Sequence, residues 1–192
     1  VGGRLGYCLF YAPSYYLDNP IRTFYIWEGG MSFHGGFLGV MVSGILFGLR
    51  KKINLLSLGD LIAFASPPGL FFGRIANFIN GELIGKVTSV PWAIIFPSID
   101  MAPRHPSQIY EAFLEGVVLF YILRFIISKK GYKIGTCSYM FLILYGIFRS
   151  ISEYFREPDA HIGYLFSVVS TGTFLSLIMI IVGLVTFNFL KK

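Results

Sequence analysis

Charge is what this sequence has least of. Only 14% of its 192 residues are Asp, Glu, Lys or Arg, against about 25% in an ordinary soluble domain, while 55% are hydrophobic. The shortage excludes a conventional water-facing surface and points to the bilayer as solvent. Cysteine is nearly absent too. Cys8 and Cys137 are the two present, both inside apolar stretches, so neither a disulfide framework nor a zinc constellation can be built. The sequence lacks a Gly-Lys phosphate loop, a Ser-His-Asp signature and a metal motif, which leaves transporter, hydrolase and metalloenzyme readings without their usual support. Internal repeats and low-complexity linkers are missing as well. The net charge of +6 would suggest nucleic acid in a soluble protein, but basic residues beside apolar spans set membrane orientation. Nucleic acid binding is rejected on that ground. The chain opens Val1-Gly2-Gly3-Arg4 with no initiator Met, basic n-region or apolar h-region, so a signal peptide is excluded and an N-terminally truncated chain is expected.

What is present is a series of apolar stretches at roughly 31–49, 58–79, 109–127, 135–155 and 164–190, with a partial one at 1–11. About 20 apolar residues cross a hydrocarbon core. The expected fold class is therefore all-α, a polytopic transmembrane helical bundle of about five full spans plus a truncated N-terminal one, with residues 1–192 forming a single membrane-embedded domain. Continuous apolar runs exclude barrel strands, which alternate polar and apolar positions. The connections holding Arg50-Lys51-Lys52, then Lys129, Lys130 and Lys133, and the end Lys191-Lys192 fall at every second position. The positive-inside rule assigns them to the cytoplasm and turns 12–30, 80–108 and 156–163 outward. Residues 12–30, rich in Tyr and Phe with Trp27, suit an interfacial arm. Residues 80–108 are expected to form a small outward-facing cap containing a strand or two.

On this topology the basic residues sort by type. Seven Lys with Arg50 and Arg124 face the cytoplasm, while Arg4, Arg22, Arg74, Arg104, Arg149 and Arg156 lie on the outer side with Lys86. Either residue can orient a span, but only a guanidinium grips a phosphate or carboxylate through two parallel hydrogen bonds. The outer side is thus built for an anion. Arg74 and Arg149 lie inside spans, about 9 Å and about 6 Å outward of their helix centres at 1.5 Å per residue. Charges at such depth usually mark function. Tyr145, Arg149 and Glu153 follow at i, i+4 and i+8, with Arg156 three residues on, so one helix face carries all four. Arg74 and Asn77 share another face. His34, in Ser32-Phe33-His34-Gly35-Gly36, lies about 9 Å from its helix centre, at the depth of the arginines. Imidazole is the side chain best suited to removing a proton near neutral pH, though a hydrogen-bonding packing role is as open to it. Gly35 and Gly36 leave space for a ligand or a neighbouring helix. In Arg104-His105-Pro106-Ser107-Gln108 before Tyr110-Glu111, Ser107 and Glu111 are expected to cap the helix start, leaving Arg104 and His105 free for ligand. A lipid phosphate held while a proton leaves an incoming nucleophile fits this set.

Four stretches then resemble one family, the prolipoprotein diacylglyceryl transferases, along essentially the whole chain. They are Gly29 to Gly36, which looks like the family's His-Gly-Gly motif; Gly73-Arg74-Ile75-Ala76-Asn77-Phe78-Ile79-Asn80-Gly81-Glu82, followed by Gly85; Arg104 to Glu111; and Tyr145 to Asp159. The resemblance implies transfer of the diacylglyceryl group of phosphatidylglycerol to the lipobox cysteine thiol of prolipoproteins, forming a thioether and releasing glycerol phosphate. It implies no metal and no soluble cofactor, and a multi-pass protein of the bacterial cytoplasmic (inner) membrane with its active site toward the outer side. By the same resemblance Arg74 and Arg149 hold the phosphate, and Asn77, Glu82, Gly85, Arg104, His105, Tyr145, Glu153 and Arg156 shape the substrate site. His34 is the candidate base. It also implies a first span, a fuller second span and a functional Tyr upstream of Val1. Phe37 stands where the family usually has Leu, Ala76 where it usually has Gly, and Pro67-Pro68 is expected to kink or break the helix leading to Arg74. The alternative, a secondary transporter or channel for an anionic substrate, places charges near the midplane and repeats half its topology. Here the charges gather toward one face without a repeat. A structural or interaction membrane protein is the remaining rival, in which polar substitutions at Arg74 or Arg149 would lower abundance alone.

Overall fold

The computed structural model of the chain describes residues 1–157, 164–165 and 169–191. Two compact units divide it, Val1–Leu58 and Gly59–Lys192.

In the first unit, α1 (Gly2–Phe10) packs along α3 (Phe33–Lys51). Gly35 makes this crossing possible, because a Cβ there would lie 2.4 Å from the Gly2 carbonyl oxygen and 2.8 Å from the Gly6 Cα. Of the two uses open to Gly35 in the sequence, the structure takes close helix approach. Ser32 caps α3 by accepting the Gly35 amide at 3.2 Å. At its other end, left-handed Lys52 closes the helix onto the carbonyls of Gly48 and Leu49, the usual way of satisfying last-turn acceptors. Between α1 and α3 run the short α2 (Pro13–Asp18) and two 3₁₀ turns, Pro20–Phe24 and Ile26–Glu28. Tyr15, Leu17, Phe24 and Trp27 are exposed along them. Arg4 holds the arm rather than facing an anion. Its buried guanidinium donates to the carbonyls of Arg22 (2.7 Å), Thr23 (3.1 Å), Gly29 and Gly30 (3.3 Å) and lies over the Tyr16 ring.

In the second unit, α4 (Leu55–Asn80) runs unbroken through Pro67 and Pro68, so of the expected kink or break the break is absent. The prolines remove two adjacent backbone donors at one level, and an apolar surrounding penalises opening the rest of the ladder. A second long helix is assembled from α5 (Ser107–Glu111), a π-helical stretch Ala112–Val118 and α6 (Leu119–Ile127), with helical backbone at both junctions. α7 (Thr136–Phe155) lies beside α8 (Thr171–Lys191). The last apolar stretch, read as helical from 164, instead begins as an antiparallel pair, Tyr164–Leu165 with Val169–Ser170, before α8 starts. Ser170 and Thr171 stand at that start, where hydroxyl residues are favoured. α4, and α8 over Gly172–Leu190, are long and apolar enough to cross a bilayer. Leu119, Leu123, Ala63 and Cys137 form the buried core of this unit, with Phe64, Phe141 and Leu144 against it.

Residues 81–106 form a small structure at the end of α4. β1 (Ile94–Ile95) pairs antiparallel with β2 (Pro103–Arg104), and Arg104 also bridges Val87 on its other side. Residues 84–86 are fixed to the end of α7 by Lys86 N–H donating to Phe155 (2.9 Å) and Glu157 N–H to Ile84 (3.0 Å).

Candidate functional site

Three elements of the second unit bring six charged side chains to one place. α4 supplies Arg74, the helix of α5 and the π-helical stretch supplies Glu111 and Glu115, and α7 with its C-cap supplies Arg149, Glu153 and Arg156. Glu111, with no exposed side-chain surface, bridges the arginines, one oxygen lying 2.8 Å from Arg74 Nε as an ion pair and the other accepting from Arg149 Nη1 at 2.5 Å. Arg156 Nη1 lies 3.8 Å from the same carboxylate. Glu115, equally buried, receives Arg74 Nη2 at 3.3 Å and faces Arg149 Nη1 at 3.9 Å. Arg149 Nη2 turns to Glu153 at 2.6 Å, one helical turn on. Charges removed from water need such pairing, since an unpaired one costs several kcal/mol (about 3–5 when one partner is deleted). Tyr145 stacks on Phe141 at a ring separation of 5.6 Å and lies within electrostatic reach of Glu115, Arg74 and Arg149.

The sequence-derived candidates are therefore only partly gathered. Arg74, Tyr145, Arg149, Glu153 and Arg156 share the cluster. Asn77 and Glu82 lie at the helix end, where the Glu82 amide donates to the Asn77 carbonyl at 2.8 Å and the Glu82 carbonyl accepts from the buried Gln108 side chain at 2.6 Å. Gly85 is where the chain presses on the next motif, for a Cβ would lie 2.1 Å from the His105 carbonyl oxygen. Arg104 and His105 both have partners within the chain. Arg104 grips Asp100 (2.6 and 3.2 Å) and reaches the Gly85 carbonyl (3.0 Å) and Glu157 (3.3 Å). This guanidinium holds the Asp100 carboxyl below its ordinary range, and the carboxylate in turn raises the Arg104 value. The His105 Nδ1 lies 3.2 Å from the Tyr110 hydroxyl, with its ring against Phe155. His34 sits in the first turn of α3; its side chain lies outside the described residues. So do Pro158, Asp159 and the segment through 163.

Two acids were missed. The sequence places Glu111 as a helix cap with Ser107, but Ser107 donates to the Leu83 carbonyl at 3.1 Å, and the start of α5 has no side-chain cap. The available signal was Glu111 and Glu115 spaced i, i+4 in an apolar stretch, as costly there as the arginines that drew notice. Asp60 was missed as well. It is buried, and accepts from the Tyr132 hydroxyl, the Gly135 amide (2.6 Å) and both the amide and hydroxyl of Ser138 (2.8 Å each). Among the described residues, no three His, Cys, Asp or Glu side chains gather as a metal site.

A mostly helical chain with bilayer-length apolar helices and an Arg–Glu cluster among them is a membrane protein with an internal polar site. Comparison with known sequences narrows this. The description of the prolipoprotein diacylglyceryl transferase family matches residues 1–189, and the chain belongs to that family. A curated relative from Idiomarina loihiensis is 52% identical over 192 residues, covering all of this chain and 72% of that one. One from Geobacter sulfurreducens is 53% identical over 184 residues, covering 96% and 70%. One from Oleidesulfovibrio alaskensis is 53% identical over 193 residues, covering 100% and 72%. Each is named a phosphatidylglycerol--prolipoprotein diacylglyceryl transferase.

Proposed function

We propose that this chain transfers the diacylglyceryl group of phosphatidylglycerol to the lipobox cysteine of prolipoproteins, the first step of bacterial lipoprotein maturation. The thiol sulfur attacks the diacylglyceryl carbon and a thioether forms. Glycerol phosphate leaves with the electron pair of the broken carbon–oxygen bond. The observation that carries the reading is the Arg74–Arg149 pair, two guanidiniums from different helices bridged by one buried carboxylate. It stands in a chain more than half identical to transferases of that name. Two planar cations at fixed separation suit a phosphodiester, and stabilise charge as it grows on the leaving phosphate.

The finer reading follows the sequence. Residues 1–192 serve as one membrane-embedded transferase domain of about five full spans plus a partial N-terminal one, in the bacterial inner membrane, with residues 80–108 as an outward cap. Asn77, Glu82, Gly85, Arg104, His105, Tyr145, Glu153 and Arg156 frame the headgroup side, and His34 takes the thiol proton. Support for the cap comes from the β1–β2 pair and the Arg104–Asp100 grip within it.

The test is to incubate the protein with labelled phosphatidylglycerol and a lipobox peptide, with a His34→Gln variant in parallel. The parent should label the peptide only through its cysteine. His34→Gln should keep lipid binding but lose about 10² to 10⁴ in rate, with partial recovery at higher pH where more substrate is thiolate. An unlabelled peptide would overturn the transferase reading, and a fully active His34→Gln protein would remove the base role alone.

A further inference from the structure

The charge count at the cluster carries a consequence that rests on the reading just given. Among the described residues, Arg74, Arg149 and Arg156 are matched by Glu111, Glu115 and Glu153, three positive against three negative, so a phosphodiester anion entering between Arg74 and Arg149 brings one negative charge too many. The four contacts of the two bridging acids are unequal. Glu111 holds Arg74 and Arg149 at 2.8 and 2.5 Å, whereas Glu115 stands at 3.3 and 3.9 Å from them. One oxygen of each of the three acids, Glu111 Oε2, Glu115 Oε1 and Glu153 Oε2, is buried without a hydrogen-bond donor among the described residues, so it is the longer separations that set Glu115 apart. Glu115 is thus the most loosely paired carboxylate, and it has no exposed side-chain surface. A buried carboxylate that loses its counter-charge is stable only as the neutral acid.

We propose that Glu115 takes up one proton when the phosphodiester of the lipid substrate occupies Arg74 and Arg149. The groups facing it are Arg74 from α4, Glu111 from α5, and Tyr145 and Arg149 from α7. Of these, Glu111 keeps its close contacts and Glu115 yields its weaker ones. The proton comes from solvent on binding. Transfer then turns the phosphate from a monoanion into a dianion while the thiol proton passes to the base. The second charge on phosphate develops beside a neutral Glu115 instead of a repelling carboxylate.

Linkage makes this measurable, because a ligand whose binding takes up a proton binds more weakly as the proton becomes scarce. Short-chain phosphatidylglycerol, whose diester does not titrate in this range, is bound to the protein in zwitterionic micelles at pH 6 to 9. For the parent, Kd should weaken by up to about ten-fold per pH unit at the alkaline end. In Glu115→Gln, Kd should stay flat near the parent's low-pH value. Calorimetry on the parent in buffers of different ionisation enthalpy needs no variant and should read about one proton taken up per lipid. Binding with no proton uptake, or a Glu115→Gln protein that keeps the parent's slope, would overturn the inference while leaving the transferase reading intact. A parent that binds no phosphatidylglycerol at any pH would overturn both.

Discussion

Arg149 meets Glu111 and Glu153 through two different nitrogens, at 2.5 and 2.6 Å, so its planar fork spans two carboxylates that a single ammonium cannot reach together. Arg149→Lys keeps the charge and loses that geometry. The variant should insert and accumulate normally yet transfer about 10² to 10³ times more slowly, the scale of losing one charge-stabilising donor. Turnover near that of the parent, measured with labelled phosphatidylglycerol, would show that the phosphate is gripped elsewhere. Not every arginine that the sequence assigns to the outer side has this character. Arg4 spends its guanidinium on backbone carbonyls of the arm, and Arg104 on Asp100 and Glu157. The preference for Arg over Lys there has two causes. One is anion chemistry, and the other is that five donors on one plane can tie loops together.

At the scale of elements, α7 with its C-cap carries half of the charged cluster, and what holds its first turn is a side chain from α4. The helix begins after Gly135, which has no capping side chain. Asp60 supplies the missing acceptor, taking the amides of Gly135 and Ser138 at 2.6 and 2.8 Å, and its charge sits at the positive end of the helix dipole. Asp60→Ala should strand these donors and cost about 1–3 kcal/mol, loosening the start of α7 first. The fully buried Cys137 thiol reports it. Its alkylation should accelerate by about 10-fold or more, since each 1.4 kcal/mol of easier opening is a factor of ten. An unchanged rate would mean that α7 is held by its packing on α8 alone.

For the whole molecule, the proposed orientation rests on the basic connections and is open to a direct test. Single cysteines near Lys86 should react with a membrane-impermeant thiol reagent added from outside, and those near Lys52 or Lys130 should react only after permeabilisation. Reversed labelling would put Arg74 and Arg149 at the wrong leaflet and sink the site proposal. Many apolar side chains on α3, α4 and α8 are exposed, including Leu46, Leu61, Phe72 and Ile181, which fits a lipid surround.

What the sequence determined by itself was whatever depends on local composition. Apolar runs of bilayer length mark the helices because the backbone must satisfy itself in lipid. The motif spacing around Arg74 and Arg149 marks the family, and the face shared by Tyr145, Arg149 and Glu153 follows from helical periodicity. Only the tertiary structure decided which acid meets which base. Glu111 lies 37 residues from Arg74 and 38 from Arg149, and at that separation nothing in the local pattern distinguishes a helix cap from a bridging counter-ion. The same holds for Asp60, 75 residues before the Gly135 amide it accepts. It holds again for Gly35, whose use became visible only when Gly6 was packed against it. Pairing across helices is a property of their packing, because a desolvated charge takes whichever partner the neighbouring helix brings within reach.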